Sequence, residues 1–265
     1  MNQNPLVSIV VNNYNNKIYL KECLDALLAQ TYENIEIIIV DAYSTDGSRE
    51  FIEEYKKIDA RLKLIKTESY EKYPATTYNL GFLGSNGDYI AINDPDDISM
   101  PNRIEKQMEY LIKNPSVDAV GCNCVEFNLS IYREIIATVS NNIKTAAPPV
   151  RNPTLLFKKI ILAKYGMWRW ECEYAADFEW LYRWYKEGVK FHIVEEILLK
   201  YRYSHCKNLS NVNSISQSYK LTKFRIIFGI KLFNKVGIEW WMMTLKSVYY
   251  TISLSTKWVI RNKLK

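Results

Sequence analysis

Histidine occurs only twice in 265 residues, glycine nine times and proline eight times. Two histidines cannot complete the usual zinc constellations, and the five cysteines add little, since Cys122 and Cys124 stand one residue apart. So few cysteines in a chain of this length also exclude a disulfide scaffold. The glycines never form GxGxxG or GxxxxGK[ST], the loops whose amides cradle phosphates. A dinucleotide oxidoreductase and a P-loop ATPase are therefore not expected. Internal repeats and low-complexity stretches are missing too. What is there, 48% apolar and 24% charged residues, describes an ordinary globular chain, long enough to bury roughly three-quarters of its unfolded surface. The start, MNQNPLVSIVV, is too polar and its apolar run too short for a signal peptide. It reads as an uncleaved cytoplasmic start, with the cysteines reduced.

Charge is unevenly spread. From Ile215 to Lys265 ten basic residues face the single acid Glu239, whereas the first 214 residues carry 25 basic and 28 acidic side chains. That division predicts a body, 1–214, and a cationic appendage, 215–265.

Within the body, β-branched runs recur about every 25 to 30 residues: Val7–Val11, Ile35–Val40, Leu62–Ile65, Asp88–Ile92 and Val117–Val120. The first two are almost unbroken, as strands covered on both faces should be. Between them Leu20, Leu24, Leu27 and Leu28 share one helical face, and Ile104, Met108, Leu111 and Ile112 another. Helix starts are signalled by Ser48 ahead of Arg49-Glu50-Phe51 and by Pro101 before Asn102 and Arg103. Alternating βα units predict an α/β fold with a mostly parallel sheet, whose ligands bind at the carboxyl ends of the strands. After about Cys124 the pattern loses regularity, and a region rich in Trp and Tyr runs to about Ser210.

The strand ends carry the polar residues. Asn12-Asn13-Tyr14-Asn15 follows the first strand and can flank a nucleoside. Asp41 ends the second and can accept hydrogen bonds from a base or sugar, while Asp46-Gly47-Ser48 reads as a turn feeding a helix. Asn93-Asp94-Pro95-Asp96-Asp97 ends the fourth, with three carboxylates in four residues. Mutual repulsion raises the pKa values of such a group unless a cation neutralises it, and hard oxygen ligands suit Mg²⁺ or Mn²⁺. A solvated Asp-Pro-Asp turn is the competing reading.

The run VSIVVNNYN, then LAQTYENIEIIIVDAYSTDGS, then GDYIAINDPDDISMPNRIEKQMEYL closely resembles the family 2 inverting glycosyltransferases of the GT-A fold. Asn152–Phe157, Ala175–Leu181 and Leu198–Arg202 continue the resemblance, which covers residues 6 to about 210. It implies a Rossmann-like, mostly parallel sheet flanked by helices, divided into a nucleotide-sugar half, 1–124, and an acceptor half, 125–214, with a C-terminal helical appendage. It places Asn12, Tyr14, Asp41, Lys72, Asn79, Asp94 and Asp96 around a nucleotide-sugar donor, UDP-sugar by default. Asp94, Asp96 and His205 fall at a Mn²⁺ or Mg²⁺ ion that offsets the charge of the leaving diphosphate. Asp177 matches the family's general base; a helix N-cap before Phe178-Glu179-Trp180 is the alternative. His205 can equally be a surface histidine. Trp168, Trp170, Trp180 and Trp184 lie on the acceptor side, where half or more are expected in the core.

Four departures stand out. Ala176 replaces the Glu usual before the base, and Ala42 a second Asp after the second strand. A basic residue usual before the Asn-x-Gly of the third helix is missing, leaving Lys72 nearest, and Tyr201–His205 has one residue inserted into Tyr-Arg-x-His. The implied function is transfer of a sugar to a saccharide or lipid-linked acceptor in bacterial polysaccharide assembly. A catalytically inactive saccharide- or membrane-binding relative, or less plausibly a sugar nucleotidyltransferase, remains open. In the tail Trp241, Leu245, Val248 and Ile252 form one stripe. Its longest uncharged run, Ser247–Thr256, is half the ~20 residues that span a bilayer. Its nine aromatics and ten cations suit the surface of an anionic membrane, placing the protein at the inner face of the cell membrane, or a helical cap packed on the body. No motif points to nucleic acid.

Overall fold

The structure, a computed structural model, describes residues 4–71, 74–127, 132–135, 150–169 and 176–202. The strands are β1 (Val7–Asn13), β2 (Ile35–Asp41), β3 (Leu62–Lys66), β4 (Tyr89–Asn93), β5 (Ile98–Ser99), β6 (Ala119–Phe127), β7 (Tyr132–Ile135), β8 (Leu156–Lys158) and β9 (Phe191–Arg202). The helices are α1 (Lys17–Leu28), α2 (Ser48–Ile58), α3 (Pro74–Gly84), α4 (Arg103–Lys113), α5 (Ile160–Tyr165) and α6 (Ala176–Lys186). One sheet runs β3-β2-β1-β4-β8-β6-β9-β5, with β7 paired to β6.

The five expected strands all form, and β3, β2, β1 and β4 are parallel. Beyond β4 the sheet is mixed: β8 is antiparallel to both β4 and β6, β9 is parallel to β6, and β5 is antiparallel to β9. The fifth expected strand starts two residues late, at Ala119, and continues to Phe127, through the region where the pattern becomes irregular. Its alternation is hidden because β6 is covered on both faces, with eight of its nine residues buried.

Two cores sandwich the sheet. Val7, Ile9 and Val11 of β1 face Leu20, Leu24 and Leu27 of α1, together with Ile104, Met108 and Leu111 of α4. Ile112, expected on that buried stripe, is 42% exposed, because the turn of the helix carries it to the solvent side. On the other face Val10 packs against α3, and Trp168, with Trp180 and Trp184 of α6, joins the same core. Gly81 is where α3 crosses β1; a Cβ there would stand 2.4 Å from Val10 Cγ1.

The turn after β2 corrects the expected helix start. Ser48 is already helical, Gly47 holds the preceding position at φ 84°, and the Asp46 carboxylate does the capping. It takes the Ser48 amide at 3.0 Å and, across the cleft, the first amide of α1, Lys17 N, at 2.9 Å. One acidic side chain thus fixes the entry of two helices. The strand order reverses at β1, which has β2 on one side and β4 on the other. The carboxyl ends Asn13, Asp41 and Asn93 therefore share one crevice.

Candidate active site

Three groups of side chains meet in that crevice. At the end of β1 and β2, Asp41 is wholly buried. Its Oδ1 accepts from Arg49 Nε at 2.5 Å and from Ser44 N at 2.9 Å, and its Oδ2 from Asn13 Nδ2 at 2.8 Å. Burial opposes its charge, but these donors, Arg49 foremost, outweigh it and lower the pKa. The carboxylate expected to read a base is engaged in ordering its own loop. Tyr14 is exposed beside the crevice and lies 4.7 Å, centroid to centroid, from Tyr70. Asn12 keeps a buried Oδ1 with no hydrogen-bond partner, a polar atom such as a ligand could satisfy.

The second group is the turn after β4, closed by Asp97 N donating to Asp94 O at 3.2 Å. Asp94 Oδ1 accepts from the hydroxyl of Tyr78 at 2.6 Å. Burial, then the charge of Asp94, push Asp96 up to about 6. Asp97, 1% exposed, is driven well above the usual carboxylate range by burial and by both neighbours. Its Oδ1 takes Arg202 N at 2.8 Å, while Oδ2 is buried without a partner.

Two arginines that the sequence reading left out of the site hold this turn. Arg103, completely buried in α4, donates to Asn93 Oδ1 at 3.0 Å, Ser99 Oγ at 2.9 Å and Ile92 O at 2.8 Å. Arg202 Nε donates to Asp96 O at 2.9 Å and its terminal nitrogen to Glu22. Its guanidinium lies 4.6 Å from the Tyr19 ring centroid and 4.5 Å from that of Phe127. An arginine two residues after Pro101, and the Tyr-Arg pair ending β9, were the signals.

The third group is Asp177, in the first turn of α6. It sits within the helix, not ahead of it, and Oδ1 takes the Phe178 amide at 2.8 Å. Burial first, then the charge of Asp94, raise its pKa to about 6. Tyr78 feels the charge of both carboxylates, and Asp177 that of Asp94, so the three groups lie within electrostatic reach of one another. Ala176, in place of the usual Glu, is buried in the second core.

Asn79, expected near the donor, spends its amide on the backbone of Trp168, donating to O at 2.9 Å and accepting from N at 3.1 Å. Trp168, Trp180 and Trp184 are core residues, 6%, 0% and 0% exposed, and do not present faces to a sugar. Lys72, Trp170, His205 and the tail 215–265 lie outside the described residues.

The donor set of the Asp94–Asp97 turn fits a hard divalent cation. Carboxylates forced together and raised in pKa regain their charge beside a cation, and the orphaned Oδ2 of Asp97 marks a polar site with unmet demand. Among the described residues no three His, Cys, Asp or Glu side chains are grouped so as to hold a metal ion. Asp94 and Asp96 would hold such an ion together with waters and substrate phosphates, the usual manner for Mg²⁺.

Residues 8–158 match the family model described as glycosyl transferase family 2. The chain is 30% identical over 261 residues to an uncharacterized glycosyltransferase of Haemophilus influenzae, covering 89% of this chain and 76% of that one. It is 34% identical over 112 residues, 42% of this chain and 44% of the other, to a putative teichuronic acid biosynthesis glycosyltransferase, TuaG, of Bacillus subtilis. Among solved structures, S. aureus TarS in complex with UDP-GlcNAc superposes with a TM-score of 0.67 at 16% identity, over 83% of this chain and 65% of that one. The mannosyltransferase PcManGT from Pyrobaculum calidifontis, in complex with GDP-Man and Mn²⁺, gives a TM-score of 0.67 at 18% identity, over 94% and 70%. The chain spans less than two thirds of the TarS chains it matches. At such identities these two likenesses show a shared fold.

Proposed function

The chain belongs to glycosyl transferase family 2 and has the GT-A fold, and we propose that it is an inverting, divalent-cation-dependent sugar transferase. In this reading it moves one sugar from a nucleoside diphosphate donor to a saccharide or lipid-linked acceptor. The observation that carries the reading is the carboxylate-rich turn at the end of β4, Asp94 to Asp97, with Asp177 within reach of the charge of Asp94. Asp177, with a pKa near 6, is ionised at neutral pH yet basic enough to take a proton. Its carboxylate accepts the proton of the acceptor hydroxyl while that oxygen bonds to the anomeric carbon. The bond from that carbon to the diphosphate oxygen breaks on the opposite face. Asp94 and Asp96 would hold Mn²⁺ or Mg²⁺, which when bound would supply charge compensation to the leaving diphosphate.

Uridine is the default nucleoside, carried by the resemblance, and the UDP-GlcNAc complex of TarS is in keeping with it; the GDP-Man complex of PcManGT makes guanosine the alternative. TuaG supports a setting in surface polysaccharide assembly. A cytoplasmic site at the inner face of the membrane suits that setting, with the basic tail against anionic lipid. Calorimetry of UDP and GDP with Mn²⁺ and with EDTA tests the donor side. Asp96→Ala is expected to abolish cation-dependent binding with little loss of fold, since it also relieves repulsion. Unchanged Mn²⁺ dependence in that variant contradicts the assignment.

A further inference from the structure

Among the described residues a single side chain bonds the Asp94 carboxylate: Tyr78, whose hydroxyl donates to Oδ1 at 2.6 Å. Tyr78 is buried in α3, and its ring lies 4.6 Å from that of Trp168, tilted by 33°. The next residue, Asn79, clamps both backbone groups of Trp168, at 2.9 and 3.1 Å. One helix turn thus grips the acidic turn after β4 with a hydroxyl, and the segment leading toward α6 and Asp177 with a ring and an amide. α3 is itself seated closely on the sheet, Gly81 against Val10. The neighbouring arginines do not share this task. Arg103 is spent on Asn93, Ser99, Gln107 and the Ile92 carbonyl, and Arg202 on the Asp96 carbonyl and Glu22.

We infer that Tyr78 is a positioning residue for the donor diphosphate: its hydroxyl pins Asp94 Oδ1, leaves Oδ2 for the ligand, and ties that orientation to the Asp177 side of the cleft. This deepens the function proposed above and rests on it. A carboxylate with one oxygen pinned has less rotational freedom to lose when it binds. A hydroxyl does the pinning without a positive charge. A lysine or arginine there would hold Asp94 as firmly but would cancel the charge that draws a cation. Where the family usually has a basic residue ahead of Asn79, α3 thus offers Asp94 a neutral donor.

The test is calorimetric titration of UDP and of GDP, each with Mn²⁺, on wild type, Tyr78→Phe, Asp94→Asn and the double variant, with melting temperatures alongside. Phe keeps the ring against Trp168 and removes only the hydroxyl. The expected result is about tenfold weaker binding of whichever diphosphate the wild type takes, the scale of ordering one side chain on binding. The melting temperature should fall by a few degrees at most, the KM for donor sugar should rise by the same factor, and kcat should hardly move. In the Asp94→Asn background Tyr78→Phe should add nothing. Wild-type affinity in Tyr78→Phe overturns this inference alone, as does a variant that only melts earlier or fails to fold. An undiminished effect in the Asp94→Asn background overturns it too. A wild-type chain that binds neither diphosphate overturns the function on which it rests.

Discussion

In the proposed reaction Asp177 is the general base, and its environment makes the consequences of changing it specific. Asp177→Asn keeps the shape and the bond to the Phe178 amide but loses basicity. Turnover should fall ~10²-fold or more while donor affinity stays nearly intact; a near-normal rate would reduce Asp177 to a helix residue. The sign of the pH dependence follows from the raised pKa of about 6. The base is active above that value and protonated below it, so the rate should fall as pH drops through about 6. Part of the elevation comes from the charge of Asp94, so saturating Mn²⁺ should move this limb to lower pH. The same elevation means that the folded protein carries an unfavourable charge at neutral pH. Stability tied to Asp177 is present below its unfolded pKa of ~4 and lost as pH rises through about 6. Asp177→Asn should accordingly melt no lower than wild type at pH 7, and a large drop in melting temperature would contradict the described environment.

At the scale of elements, the amino ends of the strands are held by a polar cluster remote from the crevice. Glu36 of β2 accepts from Ser8 Oγ of β1 at 2.5 Å, Lys63 Nζ of β3 at 2.6 Å and Asn86 N, ahead of β4, at 2.6 Å. Burial opposes the charge, but the Lys63, Ser8 and Asn86 bonds together overcome it and hold the pKa down to about 2. Stability from Glu36 is present above its unfolded pKa of ~4.5 and lost as pH falls toward about 2, at a scale on the order of 3 kcal/mol. Glu36→Gln should be destabilised by about 2–3 kcal/mol at pH 7, with the gap closing below pH ~4 and activity per folded molecule unchanged. Urea unfolding across that range measures it, and a gap that does not change with pH would contradict the assignment.

The parallel half was legible because unbroken Val and Ile runs have no other cheap reading, and Leu20, Leu24 and Leu27 mark the helix beside them. The mixed half was not. β5 and β8 have two and three residues, too short for a period, and exist only because β9 and β4 present partners. Of the proposed site, the acidic turn and Asp177 were nominated by residue type. Tyr78, Arg103 and Arg202 act through contacts between elements distant in sequence, which no local pattern encodes. Asp41 and Asn79 carried the right chemistry, but the fold pairs them with Arg49 and Trp168.

For the whole molecule, the mildly acidic body and the cationic residues 215–265 predict two separable activities. Binding to vesicles should require anionic lipid and weaken steeply with salt, each cation contributing about 1 kcal/mol within a Debye length. Truncation after about Ser214 should abolish that binding and leave the affinity for UDP or GDP intact. Collapse of the truncated chain would show that the tail is a packed cap. The central claim, that Asp94, Asp96 and Asp177 act together on a nucleotide sugar, is tested most directly by nucleoside diphosphate release from a panel of UDP- and GDP-sugars with saccharide acceptors. The account predicts release that needs Mn²⁺ or Mg²⁺, stops with EDTA or Asp96→Ala, and falls ~10²-fold in Asp177→Asn with donor still bound. Release that persists in EDTA, or at the wild-type rate in Asp177→Asn, would contradict it.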